Sequence, residues 1–199
     1  MKQEETFSID ALRSGDREAF AAMVDEYSPK LYRLALRMLG DPQEAEDVLQ
    51  DSLLKAYHAI DKFEGRSKVG TWLYRITSNE ALMRLRKKQP ALVSVDEPIQ
   101  LDKGDMVPRQ LEDWCCLPED EFMTAEAMVQ LDQAMEELSP ALKAAFILRD
   151  LQGLSTEEAA ETLEISESAL KTRLSRARLQ LRESLSIYFG DRVKEFMHG

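Results

Sequence analysis

At 199 residues with a formal charge of −11, the chain has room for one ordinary domain or two small ones, and its net negative charge excludes general adhesion to a nucleic-acid polyanion. Hydrophobic and charged fractions of 44% and 32% exclude a chain disordered throughout. No apolar run reaches about 18 residues and the start MKQEETFSID has no apolar core, so neither membrane insertion nor export is expected, and the cytoplasm is the expected compartment.

From Ser8 to about Lys88 the apolar spacing is helical almost throughout. GDREAF starts one helix, and YSPKLYRLALRMLG holds another, with Pro29 near its first turn and Gly40 as its stop. DPQE opens the next: Asp41 as N-cap, Pro42 at the first helical position and Glu44 completing a capping box. This helix runs to about Ile60 and buries a stripe of Ala45, Val48, Leu49, Ala56 and Ile60. Its opposite face carries Asp47, Gln50, Asp51, Leu54 and His58, which reads either as a protein-binding surface or as a solvated face with one exposed leucine. After the glycine-broken DKFEGRSKVG, a further helix, TWLYRITSNEALMRLRKK, ends in the basic cluster Arg84 to Lys88 and is terminated by Pro90. The cluster either complements the helix dipole or meets a polyanion.

The stretch from Pro90 to about Glu121 holds prolines 90, 98, 108 and 118, more acids than bases and little periodicity, and is expected to be a tether between two domains. Trp114 to Leu117 within it, WCCL, is expected to be a hydrophobic anchor. Its adjacent Cys115 and Cys116 supply neither a disulfide framework nor a zinc site, and no cofactor or metal is expected. Helices follow at Phe122 to Leu138, Pro140 to Leu151, Thr156 to Leu163 and Glu167 to about Phe189.

The last of these helices is basic in an acidic protein. Between Ser168 and Arg182 there is no acidic residue, while Lys171, Arg173, Arg176, Arg178 and Arg182 are cations. Leu170, Leu174, Ala177 and Leu181 form a narrow stripe, opposite Ser168, Thr172, Ser175 and Arg176, so small hydroxyls are ringed by long cations. Small side chains let a helix approach base edges, and the flanking cations meet phosphates. Upstream, Ser155 and Glu158 read as a capping box, and Ser166 caps the basic helix; helix, short turn and basic helix make a helix-turn-helix. Glu164 stands in the turn where such units often have glycine.

No glycine loop cradles phosphates, the histidines are His58 and His198 alone, and no nucleophile has an obvious base, so an enzyme is not expected. A dimeric regulator on a palindrome would need neither the second basic patch nor the tether.

The segments GDREAF, DPQEAEDVLQDSLLKAY and TWLYRITSNEALMRLRKK, followed by LSPALKAAFILRDLQGLSTEEAAETLEISESALKTRLSRARLQLR, together resemble the extracytoplasmic function (ECF) sigma factors of bacterial RNA polymerase, group IV of the sigma-70 family, in order and spacing. The resemblance implies an all-α fold of two small helical domains joined by a long acidic linker. Residues 1–90 would be sigma region 2, 91–121 the linker, and 122–199 region 4, a helix-turn-helix (winged-helix-like) DNA-binding domain. It implies a promoter-specificity subunit that binds the β′ coiled coil and β flap of core polymerase, takes promoter DNA as a partner, and is commonly held by an anti-sigma factor.

By position, the resemblance places Asp47, Gln50, Asp51 and Leu54 on the polymerase-binding helix. It assigns minus-ten recognition and melting to Phe63, Glu64, Arg66, Lys68, Trp72, Asn79, Arg84, Arg86, Lys87 and Lys88. Minus-thirty-five reading falls to Ser168, Lys171, Thr172, Ser175 and Arg176, with Arg173, Arg178 and Arg182 on the DNA backbone. The chain departs from many members at Glu64 and Arg66, where the charge order is swapped, and at Val69 and Gly70, where bulkier residues are common. The linker would thread toward the polymerase active site. Its acids, Asp96, Glu97, Asp102, Asp105, Glu112 and Asp113, are expected to compete with phosphates for both basic patches.

Overall fold

The computed structural model describes residues 7–65, 67–88 and 125–197, the side chains of 125–128 and 187–197 excepted. Arg66, the linker and its Cys115 and Cys116 lie outside the described residues. Helices α1 (Ile9–Arg13), α2 (Arg17–Leu39), α3 (Pro42–Ala59) and α4 (Val69–Lys88) form the N-terminal half, with a 3-10 turn, Ile60–Lys62, after α3. The C-terminal half comprises α5 (Ala125–Glu136), α6 (Pro140–Phe146), α7 (Thr156–Thr162) and α8 (Glu167–Met197). There is no strand among the described residues, in keeping with the all-α expectation.

Two sequence expectations need correction in the first half. GDREAF and YSPKLYRLALRML are one helix, α2, which runs through Pro29. An interior proline removes a backbone donor, but Pro29 lies on the exposed side, and the hydroxyl of Ser28 donates to the Val24 carbonyl at 2.6 Å, adding a side-chain bond to the disturbed turn. The capping box of α3 is only half formed: Asp41 accepts from the Glu44 amide at 3.0 Å, while the Glu44 carboxylate turns to Lys88, 2.6 Å away. A full charge nearby attracts it more strongly than a neutral amide. At the end of α2, Gly40 adopts φ 73°, where a side chain would be strained, and its amide closes the helix on the Leu36 carbonyl at 2.8 Å.

In the second half, the helix expected from Pro140 to Leu151 changes register. It is α-helical to Phe146 and π-helical over Ile147–Leu151, with the Gln152 amide donating to the Ile147 carbonyl five residues back. The α7 capping box forms in full, Ser155 and Glu158 each accepting from the other's amide. At its far end α7 closes as a Schellman motif: the Glu164 amide reaches the Glu161 carbonyl at 3.2 Å, and the Ile165 amide reaches that of Ala160 at 3.1 Å. That motif wants a left-handed residue, and Glu164 takes φ 55°. A glycine there escapes a penalty of about 1–2 kcal/mol and gives back part of it as unfolded-state entropy, so Glu164→Gly should stabilise the chain by about 0.5–1 kcal/mol in urea unfolding.

A continuous core runs from Leu12 and Met23 through Val48, Leu73 and Met135 to Leu148, Leu170 and Leu181. Within the halves, α2, α3 and α4 pack together, as do α5, α6 and α7 on α8; between them, α4 packs on α7 and α2 touches α6. Polar contacts among the described residues cross that seam. Lys68 lies 2.6 Å from Glu158, the Tyr74 hydroxyl donates to Gln152 at 3.3 Å, and Arg37 lies 3.6 Å from Asp132. Burial raises the Tyr74 pKa, against a smaller lowering by Arg33, so the phenol stays protonated as the donor. Lys68, followed by the Ser155 amide, holds the Glu158 carboxyl below the ordinary glutamate range.

Lys143 lines a cleft between α2 and the α5–α6 pair, alongside Arg33, Arg37, Asp132 and Glu136. It is buried, and desolvation lowers its pKa against the pull of Glu136 and Asp132. A lowered folded pKa means that the unfolded chain holds the extra proton, so the penalty is fully present at neutral pH. It fades as pH rises through the folded value toward 10.5. Lys143→Met should therefore raise stability by about 1 kcal/mol at pH 7 and flatten the alkaline rise in the urea midpoint that the parent shows.

Candidate nucleic-acid interface

The outer surface of α8 follows from its inner one. Leu170, Leu174, Ala177 and Leu181 are all buried, which turns Ser168, Lys171, Thr172 and Ser175 outward and leaves Arg176 half-buried at the margin. Ser166 caps the helix through the Ala169 amide at 3.2 Å, and its hydroxyl lies 3.0 Å from that of Ser168. The Thr172 hydroxyl donates to the Ser168 carbonyl at 3.0 Å, so its remaining capacity toward a ligand is as an acceptor and a methyl. Of the cations assigned to the backbone, Arg182 is exposed and Arg173 half-buried. Arg178 is held by Asp150, with Nε and Nη2 donating to the two carboxylate oxygens at 2.9 and 2.7 Å. Lys171 lies 3.4 Å from Glu167, one turn earlier.

The first half presents a different picture around the loop between the 3-10 turn and α4, where minus-ten recognition is expected. Phe63 and Trp72 are buried with ring centroids 5.1 Å apart, so both rings lie inside and support the loop from beneath. Glu64 and Asn79 are exposed, and Lys68 is occupied by Glu158 across the seam. Arg13 ties α1 to the loop by donating from Nε to the Phe63 carbonyl at 2.6 Å. A side-chain carbon on Gly70 would lie 2.9 Å from Cε1 of Tyr27, which accounts for a residue without a side chain at this buried position.

On α3, Gln50, Asp51, Leu54 and His58 are exposed and Asp47 half-exposed, as the spacing required. Leu54 is 57% exposed, a large apolar surface between acids, and Tyr57 beside it is 52% exposed, with its ring edge against Phe20 at 5.0 Å. Sequence reasoning missed what lies alongside. An ion-pair ladder joins α3 to α4: Lys88 to Glu44 at 2.6 Å, Arg84 to Asp47 at 3.2 Å and to Asp51 at 2.9 Å, and Glu80 to Lys55. Asp51 is the larger cause, with Asp47, of an Arg84 pKa raised above its ordinary value. Arg86 and Lys87 of the same cluster are exposed. A repeat of acids at 44, 47 and 51 facing bases at 84 and 88 is the signal that would have revealed the ladder, had the register of the two helices been known.

The arrangement, a helix-turn-helix with an outward hydroxyl-and-cation face and a separate acidic, leucine-bearing helix, has counterparts among known proteins. Residues 23–91 match the family model for Sigma-70 region 2, and residues 128–181 match that for Sigma-70, region 4. The ECF RNA polymerase sigma factor SigW of Bacillus subtilis is 36% identical over 177 residues, covering 89% of this chain and 94% of the relative. The RNA polymerase sigma-H factor of Pseudomonas aeruginosa is 31% identical over 180 residues, with 89% and 91% covered. Among solved structures, the sigma factor RpoE in co-crystal with the anti-sigma factor NepR from Bartonella quintana superposes with TM-score 0.63 at 27% identity, over 84% of this chain and 97% of that one. CnrH in complex with the cytosolic domain of CnrY shares the fold, with TM-score 0.64 at 22% identity over 90% and 95%. The chain thus belongs to the extracytoplasmic function sigma factors of the sigma-70 family, and its function is promoter-specific initiation of transcription by RNA polymerase.

Proposed function

We propose that this sigma factor divides its work between its two halves: residues 1–90 dock core polymerase and recognise the minus-ten element, and residues 122–199 read the minus-thirty-five element as duplex. The observation that carries the reading is the outward face of α8, where Ser168, Lys171, Thr172 and Ser175 stand exposed behind a buried leucine stripe. These four and Arg176 read base edges, while Arg173, Arg178 and Arg182 meet phosphates. Glu64, Arg66, Lys68 and Asn79 meet the minus-ten strand with Arg86 and Lys87 beside it, and Phe63 and Trp72 hold the loop's shape. Core polymerase is taken by Asp47, Gln50, Asp51 and Leu54, through its β′ coiled coil, with the β flap near the second half.

The two promoter elements lie about 25 base pairs apart, roughly 85 Å at about 3.4 Å per pair. Halves packed through Lys68–Glu158 and Tyr74–Gln152 do not span that distance, so both elements are engaged only after the seam opens. Residues 89–124 can reach at most roughly 120 Å, which is sufficient. The Bartonella relative was crystallised with an anti-sigma factor, and we infer a partner of that kind for this chain too. In this reading the chain is a recognition subunit that catalyses nothing itself and works in the cytoplasm. No helix among the described residues is long and apolar enough to cross a membrane.

The test is transcription of fragmented bacterial DNA by purified core polymerase with and without the chain, sequencing RNA 5′ ends. New starts sharing two upstream elements are expected. An absence of new starts, with no binding to core, would discard the reading.

A further inference from the structure

The α3–α4 ladder joins two surfaces that, on the proposed function, take different ligands. Asp47 and Asp51 belong to the outer face of α3, while Arg84 and Lys88 belong to the basic end of α4. In the described structure Arg84 is paired with both of these acids and Lys88 with Glu44, so neither surface presents its full charge. The bonds are also built for exchange. Asp47 and Asp51 each use only Oδ2 for Arg84, and their side chains are 48% and 51% exposed, so a second oxygen on each remains open to an incoming cation. Exposed pairs of this kind contribute little to stability, so a competing partner can displace them. Arg84 bridges two carboxylates one helical turn apart with the two arms of its fork, so a cation that takes either acid loosens both bonds.

We propose that this ladder couples polymerase docking to DNA binding by charge exchange: cations of the polymerase surface take Asp47 and Asp51, and the release of Arg84, beside Lys88 on Glu44, adds to a basic end of α4 that is only partly available in the free chain. The coupling rests on the assignment of the α3 face to polymerase and of the α4 end to DNA. It lets docking raise DNA affinity without any change of fold. It also keeps an isolated sigma factor from spending its cations on random DNA.

The experiment uses the full chain and a fluorescein-labelled oligo(dT) 20-mer, read by anisotropy across a salt series. Glu44→Gln/Asp47→Asn/Asp51→Asn frees both cations. Its control, Asp25→Asn/Glu46→Gln/Asp61→Asn, removes the same charge from exposed acids that take no part in the ladder. The ladder variant should bind about tenfold more tightly than the control at low salt, and its log–log salt slope should be steeper by about 1.4, the release expected for two more phosphate contacts on a single strand. Adding Arg84→Gln and Lys88→Gln should return both values to those of the control. Equal binding by the two triple variants, or a gain that survives loss of Arg84 and Lys88, would overturn the masking. Capture of the ladder variant by core polymerase, measured in parallel, should fall. Undiminished capture beside a gain in DNA binding would overturn the coupling by removing its trigger, and would show that the α3 assignment, not the masking, had failed.

Discussion

Leu170→Ala should cost the chain about 3–5 kcal/mol of stability, the largest loss expected from any single truncation in the helix-turn-helix. Leu170 is wholly buried at the start of the α8 stripe, where α7 and α6 pack on α8. Replacing it with alanine removes an isopropyl group, three carbons, and leaves a cavity between short helices. Those helices have little freedom to collapse, because α7 is fixed at one end by its capping box and at the other by the Schellman turn. At about 2–4 °C per kcal/mol for a chain of this size, the melting temperature should fall by roughly 10 °C. Binding to a minus-thirty-five duplex should weaken with it, since Ser168, Lys171 and Thr172 are aimed by the seat of Leu170. Leu163→Ala, at a half-buried position in the same turn, should cost distinctly less. Urea unfolding followed by far-ultraviolet circular dichroism decides the matter: a loss below about 1 kcal/mol for Leu170→Ala would mean that the stripe does not carry the packing of the domain.

What the sequence made legible divides by range. The caps of α7 and α8, the Asp41 cap, the Gly40 stop and the buried stripe of α8 rest on residues a turn or two apart, and periodicity with capping chemistry captures such signals. Pro29 misled because its exposed position and the Ser28–Val24 bond cannot be read from composition. The α3–α4 ladder and the Lys68–Glu158 seam pair residues 25 to 90 positions apart, and both depend on helix register that packing alone sets. Lys68 shows the consequence most clearly. In the loop for which the resemblance implies minus-ten recognition it reads as a DNA contact, yet across the seam it is the strongest influence on the carboxyl that caps α7, the first helix of the helix-turn-helix. The sequence named Arg84 and Asp51 for separate tasks; only their juxtaposition suggests that the tasks are linked.

Leu54→Asp should weaken docking on core polymerase at least about 30-fold while leaving the fold intact. The side chain is 57% exposed and makes little contribution to the core, so its replacement should change the unfolding free energy measured in urea by no more than about 0.5 kcal/mol. Docked, the same leucine would be the apolar centre of a surface whose rim is Asp47, Gln50 and Asp51, with Tyr57 one turn on. Central apolar anchors inside a polar rim carry a disproportionate share of interface energy, about 2 kcal/mol or more each. Aspartate loses that contact and forces an extra carboxylate into a desolvated centre, where the acids that ring it oppose a second charge. A loss of at least about 30-fold in capture by core is therefore expected, with RNA starts at the chain's own promoters lost in proportion. Leu54→Met, which keeps the apolar volume, should retain most of the binding and separates shape from charge. Capture undiminished in Leu54→Asp would mean that the outer face of α3 is solvated in the holoenzyme, and that polymerase grips this half through another surface.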